Sequence, residues 1–175
     1  MENRGQILAL DIYEKRLLSV EKTAKRLGIT IIKTQVADGA AYKFPVLADK
    51  ILVDAPCSGL GVIRRRPDIK YKPELTSFAE LVRIQRDILE NAAQYLKPGG
   101  VMVYSTCTIN PEENEEQVKA FLEKHEAFEL LPVDYSGITE EASKLLETGM
   151  GTVYPEGDSG DGFFIAKLRR RKSFD

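Results

Sequence analysis

The chain has 175 residues, with 25 Lys and Arg against 27 Asp and Glu, for a formal net charge of −2; 43% of residues are hydrophobic and 30% charged. This is the composition of a globular domain long enough to bury a core, and the near-neutral balance excludes nucleic-acid binding by bulk charge alone. Cys57 and Cys107, far apart, and a single histidine, His125, exclude a disulfide framework, a four-cysteine zinc site and a multi-histidine metal centre. No apolar run approaches the roughly 20 residues of a membrane span, and no signal-like apolar segment follows Met1-Glu2-Asn3-Arg4.

In chain order, Gln6–Leu10 closed by Asp11 predicts a buried strand. Glu14–Leu27 carries Leu17, Leu18, Val20, Ala24 and Leu27 at helical spacing, and Gly28 suits a helix stop. Thr30–Val36 is β-branched and predicts a second strand, ending at Asp38-Gly39. Asp49–Val53 predicts a third, closed by Asp54-Ala55-Pro56 and followed by a long loop with Gly59, Gly61 and Pro67. Thr76–Leu96 reads as a helix with Ser77 at the N-cap and Leu81, Ile84, Ile88, Leu89, Ala92 and Leu96 on one face. Lys97-Pro98-Gly99-Gly100 is a sharp stop before a fourth strand, Val101–Tyr104, which leads into Ser105-Thr106-Cys107. Pro111–His125 predicts a helix with an acidic first turn and His125 answering the dipole at its end. Phe128–Leu131 is a short strand, residues 132–160 read as irregular, Phe163–Leu168 is a closing strand and Arg169–Lys172 a solvated tail. Alternating strands and helices predict an α/β fold with a mostly parallel sheet, in one domain.

Asp11, Asp38 and Asp54 each end a predicted strand. Ligands of open parallel sheets bind beyond the carboxyl ends of strands, and an acid there commonly holds a ribose. For any one of them, capping a turn is an equally good account; three in register favour a ligand site. Cys57 and Cys107 both follow strands and neither lies in an apolar run. A lone cysteine is usually inert packing, but two in strand-end loops favour a shared active site. Without histidine partners the pair leaves zinc short of ligands. Arg64, Arg65, Arg66, Lys70 and Lys72 form one dense basic segment directly after the first cysteine, either a solvated loop or a phosphate contact. Tyr71 among them stacks on a base or packs the loop.

The stretch Ile51–Lys72, ILVDAPCSGLGVIRRRPDIKYK, resembles the proline–cysteine motif of the Sun/Fmu (RsmB-like) RNA cytosine-5 methyltransferases, and Val101–Val118, VMVYSTCTINPEENEEQV, resembles their threonine–cysteine motif. Ala9–Leu17, Val36–Ala40 and Asp161–Leu168 fit the same family. The resemblance implies a class I S-adenosylmethionine-dependent methyltransferase fold and a cytoplasmic enzyme acting on small-subunit ribosomal RNA, with transfer RNA as the alternative substrate. It implies S-adenosylmethionine as methyl donor, with Asp11 on the ribose hydroxyls, Asp38 beside the adenine, Asp54 near the methionine moiety and the target base, and Arg16 and Gly39 also among the cofactor contacts. It makes Cys107 the nucleophile and Cys57 the group that assists product release. Arg64, Arg65 and Lys70 fall to RNA binding. A thiolate added at carbon 6 of cytosine makes carbon 5 enamine-like and able to attack a sulfonium methyl.

The chain departs from the family pattern in opening at what corresponds to the second strand, with no D-x-C-A-A-P-G-G-K loop in residues 1–10. The expectation is therefore the C-terminal part of one catalytic domain, lacking the first strand and its Gly-rich loop. Weak cofactor binding and little turnover follow for the chain alone, with an N-terminal segment or second polypeptide completing the sheet. Two other readings are a non-catalytic RNA-binding or assembly fragment, which would not need two thiols, and an N-methyltransferase, which would carry an Asn/Asp-Pro-Pro-aromatic turn where Asp54-Ala55-Pro56-Cys57 stands.

Overall fold

A computed structural model describes residues 1–71, 77–133, 147–155 and 160–172, and the chain divides into two compact units, Met1–Lys43 and Phe44–Asp175.

The first unit is a strand–helix–strand: β1 (Ile7–Asp11), α1 (Glu14–Arg26) and β2 (Ile32–Val36). The two strands pair in parallel, Ile7 opposite Ile32 and Asp11 opposite Val36. Glu14 lies in the first turn of α1 and Lys25 and Arg26 in the last, complementing the helix dipole. Gly28 takes φ +67°, the left-handed stop its position predicted. Of the expected apolar face only Leu17 and Ala24 are buried, while Leu18, Val20 and Leu27 are exposed. The buried strand expected at 6–10 likewise has Ile7 and Leu8 exposed. One helix covers only one face of a two-stranded ladder, so apolar residues elsewhere have nothing to pack on within the unit.

The second unit holds β3 (Ala48–Asp54), α2 (Phe78–Gln94), β4 (Leu96–Thr106), α3 (Glu115–Lys124), β5 (Phe128–Leu130), β6 (Met150–Val153) and β7 (Phe163–Arg170). Its sheet runs in the order β3-β4-β7-β5, with β6 also on β7. β3 and β4 are parallel, whereas β7 is antiparallel to β4, β5 and β6. The expectation of mostly parallel pairing thus holds for β1–β2 and β3–β4 but not around β7, which runs antiparallel to each of its partners. Met102 and Tyr104 of β4, Phe164, Ala166 and Leu168 of β7, Leu89 and Ala92 of α2, and Val118 and Phe121 of α3 form one core. The period-2 burial of 164, 166 and 168 is that of a strand packed on one face.

Four local expectations need correction. Lys97–Gly100 does not end an element: β4 starts at Leu96, Ala48 pairs with Leu96 and Lys50 with Val101, so the Pro-Gly-Gly residues bulge out of the ladder, with Gly99 at φ +79°. Pro111–Glu113 forms a 3₁₀ turn, and the helix proper starts only at Glu115, after Asn114. β6 lies within the stretch read as irregular. The basic tail is not free: Arg169 and Arg170 belong to β7, Arg169 and Arg171 pair with Glu129, and Arg170 donates to the Leu96 carbonyl at 2.7 Å. Thr76, Lys72 and most of 132–160 fall outside the described residues. His125 stands at the C-cap of α3, its backbone N–H on the Phe121 carbonyl, while its Nε2 lies 2.6 Å from Glu90 Oε2 on α2.

Candidate active site

β3 and β4 are parallel neighbours, so their carboxyl ends stand side by side, Asp54 opposite Ser105. Cys57 lies three residues beyond the end of one and Cys107 directly beyond the other. The ladder extends past the strands through Ala55 N–H on the Ser105 carbonyl, and the two thiols come to 3.2 Å from one another. Both cysteines are half-buried. Two backbone bonds hold the floor: Gly61 N–H donates to the Cys107 carbonyl at 3.1 Å, and Gly162 N–H to the Gly61 carbonyl at 2.8 Å. Only glycine allows this approach, since a Cβ on Gly61 would collide with the Gly162 carbonyl and stand 2.9 Å from that of Cys107.

The thiols divide the proton unequally. A hydrogen bond from Cys57 is the largest influence on Cys107 and lowers it to about 7; its own backbone N–H helps, while burial and the charges of Asp54 and Glu113 oppose. Cys57 is pushed far up by the same bond and by burial. The nucleophilic form at neutral pH is therefore a Cys107 thiolate beside a Cys57 thiol.

Behind the thiols lies Glu113, wholly buried. Its Oε2 accepts from Ser58 N–H at 2.8 Å and Gln85 Nε2 at 2.9 Å. Its Oε1 accepts from Ser58 Oγ at 2.6 Å, Asn110 Nδ2 at 3.2 Å and Thr108 Oγ1 at 3.4 Å. Sequence reasoning missed this cluster, because the acidic run at 112–116 reads as a solvated helix start. A signal was present: Gln85 stands on the apolar face of α2 between Leu81 and Leu89, where an uncharged amide needs a buried partner.

Asp54, at the end of β3, is exposed and acts on Cys107 through its charge. The basic segment spans two 3₁₀ turns, Leu60–Val62 and Pro67–Tyr71. Arg64, Arg65, Arg66 and Lys70 are exposed; Arg65 Nε donates to Asp161 Oδ1 at 3.0 Å. Tyr71 is 82% exposed and so does not pack the loop. In the first unit, Asp11 Oδ1 accepts from Tyr13 N–H at 2.8 Å, and its Oδ2 faces Arg16 Nη1 at 3.4 Å. Asp38 Oδ1 accepts from Ala40 N–H at 2.9 Å across Gly39. Both acids thus cap turns, as the simpler account of each supposed, and Asp11 also carries a salt bridge. Among the described residues, no group of three or more His, Cys, Asp or Glu side chains is arranged to hold a metal ion, and no helix is long and apolar enough to cross a membrane.

A family profile described as 16S rRNA methyltransferase RsmB/F matches residues 1–169. The chain is 42% identical over 175 residues to ribosomal RNA small subunit methyltransferase B of Salmonella typhi, covering 95% of this chain and 37% of that protein. It is 40% identical over 176 residues to the protein of the same name from Klebsiella pneumoniae (strain 342), covering 97% and 38%. The solved structure of PH0851 superposes with a TM-score of 0.84 at 35% identity, over 97% of this chain and 38% of that one. The structure of NSun6 from Pyrococcus horikoshii with SFG does so with a TM-score of 0.80 at 37% identity, over 98% and 43%. The chain thus spans less than half the length of these relatives. Its fold is that of the class I S-adenosylmethionine-dependent methyltransferases, and with both cysteine loops inside the matched span, the chain belongs to the 16S rRNA methyltransferase RsmB/F family.

Proposed function

We propose that this chain carries the thiol centre of an enzyme that methylates carbon 5 of a cytosine in small-subunit ribosomal RNA, with Cys107 as nucleophile and Cys57 as the group that completes release. The observation that carries the reading is the 3.2 Å thiol pair with Cys107 lowered to about 7. The Cys107 thiolate bonds to carbon 6, and the displaced electron pair makes carbon 5 the nucleophile toward the methyl group. Asp54, beside the pair, donates to ring nitrogen 3 in its protonated form and eases the addition. Once Cys107 is bonded to carbon 6, the Cys57 thiol gives its proton to solvent water; after transfer the Cys57 thiolate, directly or through water, takes up the proton lost from carbon 5, and the carbon 6–sulfur bond breaks to return the Cys107 thiolate. A paired or stacked target base has to be turned out to reach the thiols.

S-Adenosylmethionine, when bound, supplies an electrophilic methyl group. Within the first unit Asp11, Arg16, Asp38 and Gly39 would contact it; carboxylates suit ribose hydroxyls, and Asp11 and Asp38 are each already oriented by a backbone N–H. Within the second, Asp54 is the proposed contact. Arg64, Arg65 and Lys70 contact phosphates, with exposed Tyr71 free to stack on a base. The reaction belongs in the cytoplasm with its ribosomal substrate. An N-terminal segment or a second polypeptide completes the sheet on β3: β3 pairs only with β4 among the described residues, and Leu52 on it is 70% exposed.

The test supplies that segment and incubates the complex with ribosomal RNA, or transfer RNA in parallel, and S-adenosylmethionine. Cys57→Ala accumulates a covalent protein–RNA adduct on denaturing gels, whereas Cys107→Ala forms none. An adduct formed without Cys107 would reverse the roles, and methylation of transfer RNA alone would overturn the ribosomal assignment.

A further inference from the structure

Among the described residues, Glu113 is the one fully buried carboxylate, and it lies outside the roles above. Burying an ionised carboxylate is costly unless its oxygens are saturated by donors. Here the donors come from three separate segments: the loop after Cys57, helix α2 and the loop after Cys107. Ser58, the residue after Cys57, donates twice, and Thr108, the residue after Cys107, donates once. The two hydroxyls also meet at 2.8 Å. Gln85 is shared, since its Nε2 also donates to the Pro56 carbonyl at 2.9 Å.

The backbone carrying Glu113 is fastened independently of its carboxylate. Tyr104 Oη donates to the Glu113 carbonyl at 2.7 Å. Thr106 Oγ1 donates to Asn114 Oδ1 at 2.6 Å, and Asn114 Nδ2 to the Thr108 carbonyl at 3.0 Å. Asn114 separates the 3₁₀ turn, in which Glu113 is buried, from α3.

From this we infer that Glu113 is a positioning residue: its carboxylate ties the residues following Cys57 and Cys107 to one point and so holds the two thiols in hydrogen-bond contact. The inference deepens the proposed reaction and depends on it only for the catalytic consequence. Glutamine cannot replace the carboxylate. Its NH2 would face the obligate donors Ser58 N–H and Gln85 Nε2 on one side, or Asn110 Nδ2 on the other, so one anchor is lost whichever way the amide turns.

Positioning and simple charge predict opposite signs at Cys107. The titratable groups acting on this thiol are Cys57, Asp54 and Glu113; Tyr104, on the same strand, is pushed up by burial and stays neutral. Through space, the Glu113 charge raises Cys107, so removing it alone would make the thiol more reactive at neutral pH. Loosening the Ser58 anchor removes the Cys57 hydrogen bond, the stronger influence, and makes it less reactive.

The experiment follows iodoacetamide alkylation of Cys107 in the full chain across pH, by peptide mass spectrometry, with no cofactor or RNA present. Failure of the proposed enzymatic reading would therefore leave it standing. E113Q moves the midpoint up from about 7 toward the ordinary thiol value and slows alkylation at pH 7 by at least about fivefold. An unchanged or faster rate in folded E113Q overturns the inference. If E113Q does not fold, S58A decides: it removes one of the two Ser58 anchors and shifts the profile the same way by less, and an unchanged profile in S58A overturns the inference equally.

Discussion

At the residue scale, two ordinary thiols acquire different chemistry only because 50 residues of chain return to the same place. Cys107 titrates as an acid, so its reactive form grows as pH rises through about 7, while Cys57, donor to that thiolate and largely buried, keeps its proton. Alkylation of Cys107 in the wild-type chain therefore rises between about pH 6 and 8 and then levels off, with Cys57 unlabelled across that range. A profile with its midpoint near that of free cysteine would show that the pair does not share a proton. Both cysteines and Asp54 were legible in the sequence as strand-end residues. The origin of the lowered thiol was not: the largest influence is the other cysteine, which only the folded chain brings to 3.2 Å.

At the element scale, local rules hold where a segment's neighbours in sequence are also its neighbours in space. Ser77 was read as an N-cap, and its Oγ accepts from Glu80 N–H at 3.2 Å. Ser77→Ala removes that acceptor and costs about 1 kcal/mol in urea unfolding; a loss below about 0.3 kcal/mol would mean that water replaces the cap at no cost. Local rules fail at Lys97–Gly100, where Pro and two glycines mark a bulge rather than an end, because Leu96 is already paired with Ala48. They fail again at Glu113, which is buried while Glu112 and Glu116 of the same acidic run are exposed. Helical dipole logic explains Glu115 and Glu116 in the first turn of α3 but not a carboxylate saturated by groups from three segments.

At the scale of the whole molecule, the strands of the described residues form two sheets, β1–β2 and β3–β4–β7–β5 with β6 also on β7. Exposed Ile7, Leu8 and Val36 in the first unit and Leu52 in the second are residues that strand sequences normally bury. The expected consequence is that the chain alone binds S-adenosylmethionine weakly, and that adding the proposed complementing segment tightens binding at least about tenfold in calorimetric titration, since a site whose walls are incomplete offers fewer contacts and orders them at greater entropic cost. Tight binding by the chain alone would show that no further segment is needed.

Much was determined by the sequence itself: the order of strands and helices apart from β6, the strand-end acids, the cysteine loops and the family they resemble, all of which depend on periodicity, turn residues and motifs spanning a few positions. Tertiary structure alone decided the antiparallel course of β7, the closure of Cys57 on Cys107, the unequal sharing of their proton and the burial of Glu113. These rest on contacts between residues far apart in the chain, and the free energy of such a contact depends on what the intervening chain brings to it, which no short window of sequence contains.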